Sequence, residues 1–156
     1  MTGDELRDVM RRFPAPIAVV TTRDDDERYG LTVGSLVSLS LEPPLVGISV
    51  GKESSSHEPI RRAQGFAVSL LSEVQEHEAR HFARSGVPPA FLWLGTEVRD
   101  GQRGPLIQGA LAWLECRTRA VHDVGDHTLF VGEVESYALG EVARGLVYRD
   151  STYHPA

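Results

Sequence analysis

GDHTLFVGEVES, residues 125–136, is the stretch on which the reading of the fold turns. From His127 onward it is dense in β-branched and aromatic residues, the composition of a half-buried strand. The strand candidate runs on through Tyr137 to Leu139, and a second long one, ALAWLECRTRAV, residues 110–121, precedes it. Gly125 and Asp126 between them are turn residues. Two long neighbouring strands on a hairpin-length connection make an antiparallel pair. What the strand character leaves open is the entrance, a glycine, an acid and a histidine in a row. On the residues alone, His127 is either a turn residue capping the strand or a group turned into a pocket.

Working outward, the same signals recur. IAVVTT, residues 17–22, is a strand, followed by a polar turn over RDDDERYG ending at Gly30. LTVGSLVSLS, residues 31–40, alternates, with Leu31, Val33, Val37 and Leu39 on one parity and Thr32, Gly34, Ser38 and Ser40 on the other. Ser35 and Leu36 interrupt it, which predicts a bulge near Gly34. LVGISVG, residues 45–51, and FAVSLL, residues 66–71, are buried strands, and GLVYRD, residues 145–150, is a shorter one.

Helices are few. ELRDVMRRF is short and amphipathic, and it stops before Pro14 and Pro16. Ser56 is placed to cap a helix through Gln64, closed by Gly65. Ser72 and Gln75 have the spacing of a capping box for a helix running to about Ser85, with Val74, Ala79, Phe82 and Ala83 on its apolar arc. Residues 87–109 carry no regular pattern. Six or seven strands with short connections exclude a doubly wound βαβ fold and predict a mainly β protein, a small antiparallel barrel. There is no G-x-G-x-x-G, so a dinucleotide would not be held in the Rossmann manner.

Composition limits the function classes. The chain has 156 residues, 41% hydrophobic and 24% charged, in the range of one globular domain spanning residues 1–156. A net charge of −6 and an isoelectric point near 5.5 argue against general nucleic-acid binding. The lone Cys116 excludes an internal disulfide and a paired-thiol redox motif. MTGDELRDVMRR is not a secretory signal, and no apolar run approaches a membrane span, so a cytoplasmic address without membrane association is expected.

Two catalytic patterns occur in the letters. His77-Glu78-Ala79-Arg80-His81 matches H-E-x-x-H, but the helical wheel turns His77 and His81 towards Arg80 and Arg84 and leaves Glu78 nearer the buried side, so no metal site is expected. Gly47-Ile48-Ser49-Val50-Gly51 matches G-x-S-x-G, but Ser49 lies inside a strand and not on a strand-to-helix elbow. Asp126 and His127, adjacent on an extended strand, would point to opposite faces and so fail to make the hydrogen bond of a triad.

Gly51-Lys52-Glu53-Ser54-Ser55-Ser56 is a better site. Hydroxyls, a lysine and free backbone N–H groups ahead of a helix would suit a phosphate, and they would equally suit a solvated loop with a serine cap. The hydroxyl face of Thr32, Ser35 and Ser38 could hydrogen-bond a flat heterocycle, or simply face solvent.

LTVGSLVSLSLEPPLVGISVGKESSS, GFAVSLLSEVQ, the following HFA, GALAWLECR and GDHTLFVGEVES, in this order, resemble the flavin reductase-like, FMN-binding split-barrel family, from about Met10 to Tyr153. The resemblance implies a homodimeric antiparallel split β-barrel with Greek-key connections and a few short helices. It also implies FMN or FAD bound without a covalent link and reduced by NADH or NADPH, with a monooxygenase as partner. It assigns flavin contacts to Thr32, Val33, Ser35 and Ser38, the ring system to Ser49 and Val50, and the phosphate to Lys52, Ser54, Ser55 and Ser56. Phe82 and Arg84 approach the flavin, and His127 stands beside the nicotinamide as the catalytic-site histidine. Other functions open at this point are a flavoprotein that keeps its FMN as an electron carrier or small-molecule oxidase, and a flavin- or haem-binding module without turnover.

Overall fold

The computed structural model describes residues 1–156. Its centre is a seven-stranded antiparallel sheet built from β2 (Ala18–Asp24), β3 (Glu27–Val33), β4 (Val37–Leu41), β5 (Pro44–Gly51), β6 (Gly65–Leu70), β9 (Ala112–Val124) and β10 (His127–Leu139). Their spatial order is β3-β2-β6-β9-β10-β5-β4. A three-stranded sheet joins β1 (Ala15–Pro16), β11 (Leu146–Arg149) and β12 (Thr152–Pro155), and β7 (Val98–Asp100) pairs with β8 (Pro105–Ile107). The helices are α1 (Gly3–Met10), α2 (His57–Ala63), α3 (Glu76–Phe82) and α4 (Pro89–Leu92).

Strands β3 and β4 follow each other in the chain, yet they lie at opposite edges of the sheet. The sheet therefore rolls up, bringing β3 near β5 without a continuous ladder, and the barrel stays split along that seam. Ser35 clasps the seam: its Oγ donates to the Ser49 carbonyl and accepts from the Ser49 N–H, both at 3.0 Å. The expected bulge at Gly34 to Leu36 is thus a full change of edge. A single polar residue fastens the two halves there because the backbone groups of Ser49 would otherwise lack partners.

The hairpin β9–β10 pairs from His127 opposite Val124 to Leu139 opposite Ala112, with register shifts at Val131/Gly132 and Val134/Ser136. Such shifts sharpen the local bend that a small barrel needs. The barrel interior is filled by Val20, Val33, Ile48, Val50, Phe66, Val68, Cys116 and Phe130. Val19 of β2 and Ile17 just before it pack instead with Leu71, Ala79, Phe82, Trp93 and Ile107 under α3 and α4. Burial on both faces explains why β2 reads as an unbroken apolar run. Burial also pushes the Cys116 thiol up to about 12.

Several local expectations are corrected. The turn after β2 is only Asp25 and Asp26, with Asp25 at φ +53°, so most of RDDDERYG is strand. Ser56 precedes α2 but makes no side-chain cap, and the left-handed C-cap is Gln64, with Gly65 already in β6. Helix α3 begins after Gln75 and ends at Phe82. Ser72 and Gln75 keep only half of a box, the Gln75 side chain accepting from Ser72 N–H at 3.1 Å, since Ser72 precedes the helix by too many residues. Val74 and Ala83 are exposed, because both fall outside the shorter helix. The patternless residues 87–109 contain α4, β7 and β8, elements too short to show a period. No helix is long and apolar enough to cross a membrane.

Candidate functional site

The loop after β5 and the end of α3 face each other across a cleft of about 660 Å³. One wall carries Glu53, Ser54, Ser55 and Ser56; the other carries Phe82, Ala83, Arg84 and Ser85, with Gly30, Leu31 and Thr32 of β3 as the floor. Gly30 lets the floor pass close under the wall: a Cβ on it would lie 3.1 Å from the Phe82 ring and 3.3 Å from Trp93, tight enough that these rings would have to shift. Thr32 ties the floor to the wall, its Oγ1 donating to the Ala79 carbonyl at 2.7 Å. Phe82 is buried against Trp93, ring centroids 5.1 Å apart, so it shapes the wall more than it offers a face.

The three serines differ. Ser56 is buried and its Oγ reaches only the Gly30 carbonyl, at 3.5 Å. Ser54 Oγ accepts from the Ser56 N–H at 3.2 Å and keeps its own proton to donate. Ser55 is exposed with no side-chain partner. The cleft therefore presents the available hydroxyl donors of Ser54, Ser55 and Ser85 and the Arg84 side chain, with Glu53 as its single carboxylate. That donor set suits the phosphate of a flavin nucleotide.

Glu53 also borders a second hollow of about 360 Å³ with Gly51, Lys52, Asp126 and His127. His127 is the first residue of β10 and pairs with Gly51 of β5. Gly125 takes φ +62°, a conformation open to glycine, and Asp126 lies in the turn rather than on the strand. Strand alternation therefore does not separate Asp126 from His127. Contrary to the expectation from sequence, Asp126 Oδ1 lies 2.7 Å from His127 Nδ1. That hydrogen bond is the main cause holding the Asp126 carboxyl below its usual range. In a neutral imidazole it places the proton on Nδ1 and leaves Nε2, on the Gly51 side, as an acceptor. Lys52 leans away, to Asp123 at 3.2 Å.

The remaining expected residues are dispersed. Val33 and Val50 are buried, leaving only main chain to offer a ligand. Ser35 and Ser49 are bonded to each other. Ser38 borders a different, apolar groove with Leu41, Leu45 and Leu139. His77 and His81 stack at 6.2 Å with His81 Nε2 on the Leu92 carbonyl, and no third metal-ligating side chain joins them.

Sequence reasoning missed His57. It is buried where α2 begins, its Nε2 lies 2.7 Å from Thr128 Oγ1, and its Nδ1 lies 3.0 Å from Glu58 Oε1. It thus links the serine loop to the strand residue next to His127. A histidine directly after three serines in a polar loop gives no sign of burial; only the pairing of β5 with β10 brings Thr128 to it.

Residues 10–156 match the family model described as flavin reductase like domain. The chain is 39% identical over 147 residues to an NADH-dependent FAD reductase of Streptomyces globisporus, covering 92% of this chain and 80% of that protein. It is 37% identical to the reductase component of a 4-hydroxyphenylacetate 3-monooxygenase from Thermus thermophilus, covering 96% and 94%. Among solved structures, the NADH:FAD oxidoreductase of Streptomyces globisporus C-1027, in complex with NAD and FAD fragments, superposes with a TM-score of 0.90 at 37% identity, covering 97% of this chain and 90% of that one.

Proposed function

The chain belongs to the flavin reductase-like family, and from that premise we propose that it transfers hydride from NADH or NADPH to FMN or FAD and supplies reduced flavin to a monooxygenase. The observation that carries this reading is that the hydroxyl-walled cleft and the His127 hollow lie on either side of Glu53, which lines both. One wall suits a phosphate, and the hollow holds an oriented imidazole. The flavin, when bound, supplies the hydride-accepting chemistry, and no side chain has to act as an acid or base for that transfer.

The protein's own part is to bind and align. Ser54, Ser55 and Arg84 hold the phosphate, and the main chain along β3 and β5 accepts the ring system, since the side chains of Val33 and Val50 are committed to the core. Asp126 fixes the His127 tautomer, so that Nε2 can accept a hydrogen bond from the amide of a nicotinamide. Orientation of this kind accounts for much of the rate when two reactive rings must stack closely. The names of the relatives support NADH as the donor and both flavins as acceptors.

We further read residues 1–156 as one domain, acting in the cytoplasm as a homodimer. The dimer is supported by apolar side chains left exposed at one end of the sheet: Val37, Leu39 and Leu41 on β4, with Tyr137 and Leu139 on β10.

The test is anaerobic stopped-flow mixing of protein and FMN, or FAD, with NADH and separately NADPH. Protein-dependent bleaching of flavin absorbance is the expected result. Flavin binding without bleaching would overturn the reductase reading.

A further inference from the structure

The cleft that suits the flavin phosphate carries both signs of charge. Arg84 stands on one wall and Glu53 on the other, and neither is paired with an opposite charge. The charges around them are engaged elsewhere: Lys52 with Asp123 at 3.2 Å, Arg80 with Glu76 at 3.0 Å, and Glu58 with His57 at 3.0 Å. The floor, Gly30 to Thr32 of β3, adds no charge. On the other side of Glu53 the facing groups are Asp126 and His127, which are bonded to each other. The field where a phosphate would sit is therefore set by one unpaired cation and one unpaired anion.

A carboxylate beside an anion costs affinity, and the cost grows with the anion's charge. The two flavin nucleotides differ in that charge. FMN ends in a phosphate monoester whose second ionisation lies near pH ~6, so in mild alkali it brings two negative charges to one phosphorus. In FAD the corresponding phosphate is esterified on both sides and keeps a single charge. Arg84 alone would favour the dianion, and Glu53 opposes it.

We propose that Glu53 is a specificity-determining residue for the flavin: it offsets the preference that Arg84 would give to the dianionic phosphate of FMN, and so lets FAD compete for the cleft. The proposal rests on the flavin reductase reading and deepens it, because FMN and FAD carry the same ring and differ only beyond the ribityl chain. Glu53 is exposed, so water and salt screen it and the changes to be read are small multiples.

The experiment is fluorescence titration of riboflavin, FMN and FAD into the unaltered chain and into Glu53→Gln, which removes the charge from a side chain that has no hydrogen-bond partner to lose. Titrations are made at about pH 5 and about pH 8, in low and in high salt. At the higher pH in low salt, the variant should bind FMN about fivefold and FAD about twofold more tightly, with riboflavin unchanged. Repulsion scales with charge, so the factor for FMN is about the square of that for FAD.

At the lower pH the FMN phosphate carries one charge, and its factor should fall to that of FAD. FAD phosphates do not titrate in this range, so FAD reports any change that comes from His127 instead. High salt should shrink every factor. Equal factors for FMN and FAD at the higher pH, or no change in either, would overturn the inference. So would a loss of riboflavin affinity, which would put the carboxylate on the ribityl hydroxyls. Failure of the underlying reading is separate: a chain that binds these flavins and does not accelerate their reduction by NADH or NADPH.

Discussion

The segment Gly34 to Leu36 and the loop Lys52 to Ser56 are both small, polar and serine-bearing, and both were expected to meet a flavin. In the first, Ser35 is bonded through Oγ to the N–H and carbonyl of Ser49, so its hydrogen-bonding capacity closes the barrel. In the second, Ser54 and Ser55 keep free hydroxyl protons at the cleft wall. A serine already bonded twice within the fold must exchange partners to serve a ligand, whereas an unpaired one need not. Residue type alone does not separate the two regions; hydrogen-bond bookkeeping does.

The largest effect should come from His57, which fastens the loop to the fold. Truncation by His57→Ala leaves Thr128 unpaired in the interior and should lower stability by about 2–3 kcal/mol in urea or thermal unfolding. A loss under 0.5 kcal/mol would show that the loop is not anchored there.

Ser35→Ala should cost about 1–2 kcal/mol of stability, because Ser49 loses both partners. Isolating its effect on flavin affinity is the direct challenge to the contrast: a large change in affinity with stability intact would move Ser35 to the ligand side. Ser54→Ala combined with Ser55→Ala should do the reverse. We expect flavin affinity, read by fluorescence quenching, to fall about tenfold, with stability within about 0.5 kcal/mol.

His127→Ala should raise the KM for NADH about five- to tenfold and change the flavin dissociation constant by less than about twofold. Equal changes in both would show that His127 has no separate nicotinamide role. The smallest effect concerns pH. Asp126 has a lowered folded-state value, so its contribution to folding is present above the ordinary carboxylate range and disappears as pH falls through the lowered value. Between pH 6 and 8 its ionisation should leave stability level; the comparison with Asp126→Asn should converge only in acid.

How far the sequence discloses this molecule depends on the length of each signal. The strands β5, β6, β9 and β10 carry six to thirteen residues of consistent composition, and their antiparallel barrel follows. Elements of three or four residues, such as α4, β7 and β8, leave no period to read. The site divides the same way. A Ser-rich loop ahead of a helix announces itself, but the Asp126–His127 bond depends on a positive φ at Gly125, which converts a strand position into a turn. His57 depends on a partner 71 residues away.

The sulfur atoms of the chain are distributed in a way that bears on durability. A protein that makes reduced flavin works beside an oxygen-reactive product, and peroxide is the usual by-product of that meeting. Cys116, with its thiol pushed up to about 12 and no exposed surface, holds almost no thiolate for peroxide to attack. The only other sulfurs are Met1 and Met10, both exposed and both at the start of the chain, beside or within a helix with no buried residue. Oxidative damage should therefore accumulate on a part whose alteration leaves the barrel standing, so that the catalyst ages from its least consequential end.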